Sequence, residues 1–318
     1  MDAVWIRAAA FMDTIRPYFS YILVPAGIFA AHRMIEYLVP GPQHQSKLIV
    51  RNRTVLITGA SSGLGRSLAV LFYKEGAKLI LAARSIEKLQ ALCAELKAMN
   101  DVDNPNEPVY KYFDMCEPNG VEELVAASPN GKIDILVNNA GQSMRGSCAE
   151  TPVEVLRKIM EVNFFGHVIL TKALLSCVPD DGAIVVISSV QGRIAVPYRG
   201  AYSASKHAAQ AFFDSLRGEE RSKLQILVVS AGYMNTGFGK RALNVEGKPT
   251  GVEDADQLRG MTPAYAAKMI YRSLINRETE LVLAPLSHRL AIFLRWLYPN
   301  LYFWVMHRRS MMQTKKQD

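Results

Sequence analysis

The chain is poor in the residues that build metal centres and covalent frameworks. Its four cysteines, Cys93, Cys116, Cys148 and Cys177, fall at no ligand spacing, and its six histidines form no H-E-x-x-H or related pattern. No metal site is expected. Cys93, Cys116 and Cys177 lie in or beside segments that read as core, which suits buried reduced thiols in a cytosol-facing domain. Internal repeats and low-complexity blocks are missing too, which argues against solenoids and long disordered arms. So is an uninterrupted apolar run of the roughly 20 residues that span a bilayer. The net charge of +8 lacks the clustered basic and aromatic positions of a nucleic-acid binder. Part of the excess (Arg51, Arg53, Arg308, Arg309, Lys315, Lys316) lies near the two apolar ends, where an anionic lipid surface explains it better.

What is present is a chain of 318 residues, long enough for one α/β domain with a large core and short terminal additions. Thr54–Thr58 is a short apolar run suited to a buried strand. Gly59-Ala60-Ser61-Ser62-Gly63-Leu64-Gly65 follows, and a helical pattern opens near Ser67. Strand, glycine-rich turn and helix together make a dinucleotide fingerprint credible. The glycines let the backbone approach a pyrophosphate, which rests on free N–H groups at the helix start. A second strand, Lys78–Ala83, ends at Arg84. An acidic residue there would accept from the ribose 2′-hydroxyl of NAD, whereas a guanidinium pairs with the 2′-phosphate of NADP. NADP(H) is therefore the expected cofactor.

Tyr202 and Lys206 are four apart, so on a helix they share one face. An ammonium beside a phenol favours the phenolate and makes a proton donor usable near neutral pH. Ser189, thirteen residues before Tyr202, could polarise a carbonyl at the same point.

With Asn138-Asn139-Ala140-Gly141 and Asn163 added, the chain resembles the short-chain dehydrogenase/reductase family from about residue 52 to 285, in order and spacing. The resemblance implies a doubly wound parallel sheet with helices on both faces. It implies a catalytic set of Asn163, Ser189, Tyr202 and Lys206. Tyr202 would protonate the forming alkoxide. Lys206 would lower its pKa and bind the nicotinamide ribose, Ser189 would orient the carbonyl, and Asn163 would anchor a water linking Lys206 to solvent. Gly59, Ser61, Ser62, Gly63, Leu64, Gly65, Arg84, Asp114, Asn138, Ala140, Gly141, Gly232 and Thr236 would hold the cofactor together with Tyr202 and Lys206. Ser189, Gln191 and Tyr202 would face the substrate. Ala231 stands where the family usually has proline before Gly232; losing proline's fixed φ could loosen that loop. A homodimer through helices near 152–176 and 200–220 is implied by analogy. Ser143-Met144-Arg145-Gly146, Ser188–Gly192, Ala201–Asp214 and the apolar tail resemble a membrane-anchored branch of the family. That likeness implies reduction of a lipid ketone, with acyl- or alkyl-dihydroxyacetone phosphate as the first substrate. Retinoid or steroid oxidoreduction is the alternative in the same chemistry, and a non-catalytic nucleotide-binding scaffold is the alternative of another class.

Three regions are expected: an anchor and linker over 1–50, the catalytic domain over 51–285, and a membrane-associating segment over 286–318. Residues 17–32 carry no formal charge; snorkelling by Arg16 and Arg33 could complete a span, and Pro25 would bend it. Arg7 and Arg16 precede it, and Arg33, Lys47, Arg51 and Arg53 follow, which puts the domain on the cytosolic side. The sequon Asn52-Arg53-Thr54 would matter only in the opposite orientation. Leu286–Met306, interrupted by Arg289 and Arg295, suits an in-plane segment rather than a second span. Lys315-Lys316 resembles a dilysine retrieval signal, which favours the endoplasmic reticulum membrane, with the peroxisomal membrane as alternative. In the polar loop over 237–260, Lys240, Arg241 and Lys248 could meet a substrate phosphate or be ordinary loop charges.

Overall fold

The computed structural model describes residues 18–39, 41, 44–99, 102–219 and 223–314. Arg7, Arg16 and Lys315-Lys316 lie outside the described residues. The chain divides into two units, 1–46 and 47–318.

In the first unit, helix α1 (Phe19–Leu38) has 20 residues, includes Pro25 and exposes Leu23, Val24, Ile28 and Phe29. Arg33 and Glu36 pair at 2.6 Å in its second half. Among the described residues, the helix long and apolar enough to cross a membrane is a different one, 153–177. That stretch carries buried Asn163, His167, Leu170, Thr171 and Leu174, so it packs as a core helix of the second unit.

Among its described residues the second unit holds seven parallel strands: β1 (Thr54–Thr58), β2 (Lys78–Ala83), β3 (Val109–Tyr112), β4 (Ile135–Asn138), β5 (Ala183–Ser189), β6 (Gln225–Ala231) and β7 (Glu280–Leu283). Their order is β3-β2-β1-β4-β5-β6-β7. Every residue of β1, β4, β5 and β6 is buried, as expected of parallel strands covered on both faces. Alternation divides the core. Val55, Ile57, Leu79 and Leu81 pack on one side of the sheet with α2 (Gly63–Lys74), α3 (Ile86–Lys97) and the later helix Pro263–Ile275. Leu56, Ile80 and Leu136 pack on the other with α4 (Val121–Ala126) and the helices that carry Leu170 and Phe213. This is the doubly wound sheet that the motifs imply. Strand order reverses between β1 and β4, the place where such sheets open a crevice for ligands.

After α5 (Val153–Met160) the chain makes a π-helical turn, Glu161–Phe165, and continues as α6 (Gly166–Leu174). The wider turn coincides with Asn163, the one buried residue within it. Gly166 lets the helix press on the chain after β3: a Cβ there would meet the Met115 carbonyl oxygen at 2.4 Å. Helix α7 (Gly200–Glu219), the short α8 (Ala255–Leu258) and α9 (Pro263–Ile275) follow.

Within the segment over 286–318 the described residues form two helices, α10 (Leu286–Leu297) and α11 (Pro299–Thr314). Pro299 supplies the break, since proline suits a first helical position and no interior one. Tyr302 is buried between Val190 and Ile194 and donates its hydroxyl to the Ala195 carbonyl. The same hairpin exposes Leu290, Phe293, Trp296, Tyr298, Phe303 and Trp304.

Two glycine substitutions should move stability in opposite directions. Gly166→Ala is expected to cost about 1–3 kcal/mol by overpacking. Gly218→Ala, with open space within 4 Å of its Cβ position, should add about 0.5 kcal/mol through helix propensity. Denaturant unfolding of both variants measures this.

Candidate active site

A cleft of about 530 Å³ runs along the C-terminal ends of β1, β2, β4, β5 and β6. At one end lies the glycine turn. Gly59 and Gly63 have φ of +64° and +54°, a region that side chains disfavour. A Cβ on Gly59 would meet Ala140 Cα at 2.9 Å, and one on Gly63 would meet Thr236 Cβ at 3.0 Å. Ser62, at the N-cap of α2, makes no side-chain cap, so first-turn N–H groups keep their bonding capacity for an anion. This cradle fits a pyrophosphate.

The catalytic group forms where α7 meets the end of β5. Tyr202 and Lys206 are both buried, and Lys206 Nζ lies 6.0 Å from the Tyr202 ring centre. Lys206 Nζ donates to the Ile187 carbonyl at 2.8 Å. The Ser189 hydroxyl donates to the Ala231 carbonyl at 3.3 Å and accepts from Gln191 N–H at 3.1 Å, which holds it at the end of β5 near the Tyr202 phenol. Asn163, fully buried, accepts from Gln142 N–H at 2.8 Å and donates to the Gln142 carbonyl and the Ser205 hydroxyl, each at 2.9 Å. Its amide is therefore committed to protein partners and fixes the chain after β4. The Gly141 Cβ position is 3.4 Å from Asn163 Oδ1 and 3.8 Å from Lys206 Nζ, so glycine brings these groups together.

Burial pushes the Tyr202 phenol above its usual range, against the pull of Ser189, Arg145 and Arg199. Burial alone lowers Lys206 to about 8. Arg145 and Arg199 thus also act on the phenol, in addition to the Lys206 beside its ring that the sequence pointed to. Burial also holds His167 neutral, at about 3, and its Nε2–H donates to the Ala140 carbonyl at 2.8 Å.

Of the expected site residues, Gly59, Ser61, Ser62, Gly63, Leu64, Arg84, Asp114, Ala140, Gly141, Ser189, Gln191, Tyr202, Lys206, Gly232 and Thr236 line the cleft. Gln191 accepts from the Ser203 hydroxyl at 3.2 Å. Asn138 is corrected: it is fully buried and donates to Thr171 Oγ1 at 2.8 Å, tying β4 to α6. Its neighbour Asn139 faces the cleft and donates to the Thr58 carbonyl at 2.8 Å. Strand alternation separates the two. Gly65 stands behind the cradle, where a Cβ would meet the Gly59 carbonyl oxygen at 2.4 Å. Lys240 and Lys248 are exposed and do not line the cleft, and Lys248 pairs with Glu246 at 3.1 Å. Arg241 does line it. Beside Ala231, the Gly232 N–H donates to the Leu283 carbonyl at 2.9 Å, which anchors that loop to β7 without proline.

Sequence reasoning missed Lys88, Arg199 and the contribution of Ala291, Met306 and Arg309 from the tail helices. Two had a signal: Lys88 is one helical turn after Arg84, and Arg199 one turn before Tyr202. The tail residues had none, because their placement depends on the break at Pro299.

Lys206 binds its proton less tightly in the folded protein, about 8, than at its ordinary 10.5. The folded state therefore carries a penalty that is complete below pH 8 and vanishes as pH rises to 10.5. Lys206→Met should be more stable than the parent at neutral pH by about 2 kcal/mol, after allowing for the lost hydrogen bond. The gap should close by the upper pH, as read by denaturant unfolding at both ends.

Comparison with known proteins agrees with this geometry. The family model for short chain dehydrogenase matches residues 53–246. Mouse dehydrogenase/reductase SDR family member 7B is 38% identical over 297 residues, covering 92% of this chain and 90% of the relative. An alcohol dehydrogenase from Thermococcus sibiricus, solved with 5-hydroxy-NADP, aligns with a TM-score of 0.62 and 27% identity, over 73% of this chain and 96% of that one. A short-chain dehydrogenase/reductase from Burkholderia phymatum, solved with NAD, shares the fold at a TM-score of 0.69 and 21% identity, over 80% of this chain and 96% of that one. A buried tyrosine–lysine–serine group beside a glycine cradle, on a chain with these relatives, is the construction of an oxidoreductase, and the chain belongs to the short-chain dehydrogenase/reductase family.

Proposed function

We propose that the protein is a membrane-associated, NADP(H)-dependent reductase that turns a lipid ketone into an alcohol, with acyl- or alkyl-dihydroxyacetone phosphate as first substrate, on the path to ether lipids. One observation carries the reading. A single cleft joins Arg84 and Lys88 at one end, through Ser189 and Tyr202, to an apolar wall of Ile194, Val196, Phe238, Ala291 and Met306.

When bound, the nicotinamide cofactor supplies the hydride. Gly59–Leu64 and the start of α2 suit its pyrophosphate, and Arg84, Ser85 and Lys88 suit a 2′-phosphate, since both cations line the cleft at the end of β2. Arg84 is held only loosely, 3.8 Å from Asp114 and largely exposed, so it is available to a phosphate. Tyr202 gives its proton to the carbonyl oxygen as hydride arrives at carbon. The Ser189 hydroxyl holds that oxygen beside the phenol. Lys206 and the two arginines stabilise the phenolate left behind.

Membrane association rests on α1 and on the aromatic side chains exposed by α10 and α11, a composition suited to the headgroup zone. In this reading the domain faces the cytosol at the endoplasmic reticulum. A homodimer through α5–α7 fits the exposed Val153, Leu156, Phe165 and Ile169.

Detergent-solubilised protein should oxidise NADPH faster than NADH in the presence of palmitoyl-dihydroxyacetone phosphate. Tyr202→Phe should lower kcat by about a hundredfold or more while leaving cofactor binding intact. Arg84→Ala should weaken NADPH by about tenfold to a hundredfold and leave NADH unchanged. Cofactor binding without turnover of this lipid would redirect the search to retinoids and steroids.

A further inference from the structure

The wall of the cleft beside Tyr202 is cationic to a degree that proton transfer does not require. Arg199, Arg241 and Arg309 line this half, with Glu253, Asp254 and Asp256 set behind them, and among the described residues the carboxylate that lines the cleft itself is Asp114, at the adenosine end. Arg199 is only 5% exposed. It forms an ion pair with Asp254, which is shared with Arg145 at 3.9 Å. Arg145 Nη1 donates to the Ser143 hydroxyl and the Met144 carbonyl, whereas its buried Nη2 makes no hydrogen bond among the described residues. Two guanidiniums therefore share one carboxylate in a partly dry site, leaving an excess positive charge that burial makes costly.

The backbone holds this arrangement rigidly. An isolated bridge pairs Gly146 with Arg199 and another pairs Met144 with Leu243, so Arg145 is fixed between them. Tyr198, just before Arg199, has φ +60°, a strained conformation for a tyrosine. Its carbonyl accepts from Gly146 N–H at 3.1 Å, and its hydroxyl accepts from Ser310 of α11 at 3.2 Å. Arg309 of the same helix reaches the Tyr233 hydroxyl at 3.3 Å and Asp256 at 3.5 Å. Burial and the neighbouring Arg199 lower Arg145 to about 10, so it is still a cation at neutral pH.

We infer that Arg199, backed by Arg145 and flanked by Arg309, is a subsite for an oxyanion carried by the substrate close to its reacting carbonyl. The ligand class is an amphiphile with a phosphate ester or a carboxylate beside the ketone and an apolar chain along Ala291 and Met306. The subsite is separate from the cofactor's phosphate ends. Arg84 and Lys88 follow β2, three strand spacings from β5, or about 14 Å across the sheet. It replaces the loop lysines Lys240 and Lys248 as the place for a substrate anion. The proposal rests on the carbonyl-reduction reading of Tyr202, but its test does not need turnover.

Isothermal titration of the detergent-solubilised full chain with octanoyl-glycerol phosphate, octanoate and octanoyl-glycerol is the experiment. One of the two anionic amphiphiles should bind about 10- to 100-fold more tightly than the neutral glyceride. Which of them gains identifies the oxyanion as phosphate ester or carboxylate. Arg199→Met should remove that gain and leave the glyceride affinity unchanged. Asp254→Asn, which deletes the competing carboxylate, should strengthen anion binding several-fold, a change that structural damage does not produce. Equal binding of all three ligands, an equal loss of all three in Arg199→Met, or weaker anion binding in Asp254→Asn would overturn the subsite. An absence of NADPH oxidation with a keto lipid would count against the reductase reading and leave this result standing.

Discussion

The site depends on the burial of one cation. Lys206 is 3% exposed, and Nζ donates one protein hydrogen bond, to the Ile187 carbonyl. An ammonium so poorly solvated must be held by geometry, and that geometry fixes the rest. Ile187 belongs to β5, so the bond locks α7 onto the strand that ends in Ser189. Gly192 permits the approach, because a Cβ there would meet the Lys206 carbonyl oxygen at 2.9 Å and Ser188 Oγ at 2.7 Å. With Lys206 set, Tyr202 one turn earlier has no freedom to leave the cleft. The depressed affinity of Lys206 for its proton measures how much the fold gives up to keep it there. An anionic ligand entering the cleft relieves that cost, which couples binding to charge.

Close backbone approach does the same for the nucleotide end. Gly59, Gly63 and Gly65 have different jobs although they share one turn. The first two adopt left-handed φ and form the cradle; the third lets α2 sit on the Gly59 carbonyl. Asn139 donates to the carbonyls of Thr58 and Gly59, and so joins the β1 turn to the β4 turn across the switch point. Asn163 and His167 secure the β4 turn from the other side, through Gln142 and Ala140. The cleft is therefore walled by turns whose polar groups are spent on one another, leaving the helix start and the cations for ligands.

Much of this was legible in the sequence. β1 and β2 run over the residues that their apolar patterns mark, because central parallel strands are apolar throughout and end abruptly at polar turns. The spacing of Tyr202 and Lys206 declared one helical face. What stayed hidden depended on contacts between distant segments. Nothing local tells which of Asn138 and Asn139 faces the cleft, since that follows from the register of β4 between β1 and β5. The two arginines that add to the charge around Tyr202 stayed hidden for the same reason: Arg145 and Arg199 lie in distant segments that Gly146 and Arg199 bring together by pairing. The tail's part in the cleft stayed hidden as well, because aromatic content does not say which side chains turn inward.

The tail helices also bear on how a hydrophobic substrate would reach the chemistry. A helix that merely caps a core turns its large apolar side chains inward. Here Tyr302 does so, whereas Trp296 is 78% exposed and Trp304 55%. Arg295 lies 4.9 Å from the Phe303 ring centre and Arg308 4.8 Å from that of Trp304, so the cations ride on the aromatic face rather than shielding it from water. Exposed apolar area of this kind disfavours a purely aqueous setting and suits the interface of a bilayer, where rings and guanidiniums lie together. The same two helices supply Ala291, Met306 and Arg309 to the cleft. A lipid held at that interface would meet a wall already lined for its chain, with Arg309 at the edge and Arg199 deeper in. The apolar wall favours the chain, the arginines favour an oxyanion, and Tyr202 stands where the two regions join, which is where the carbonyl of such an amphiphile would lie.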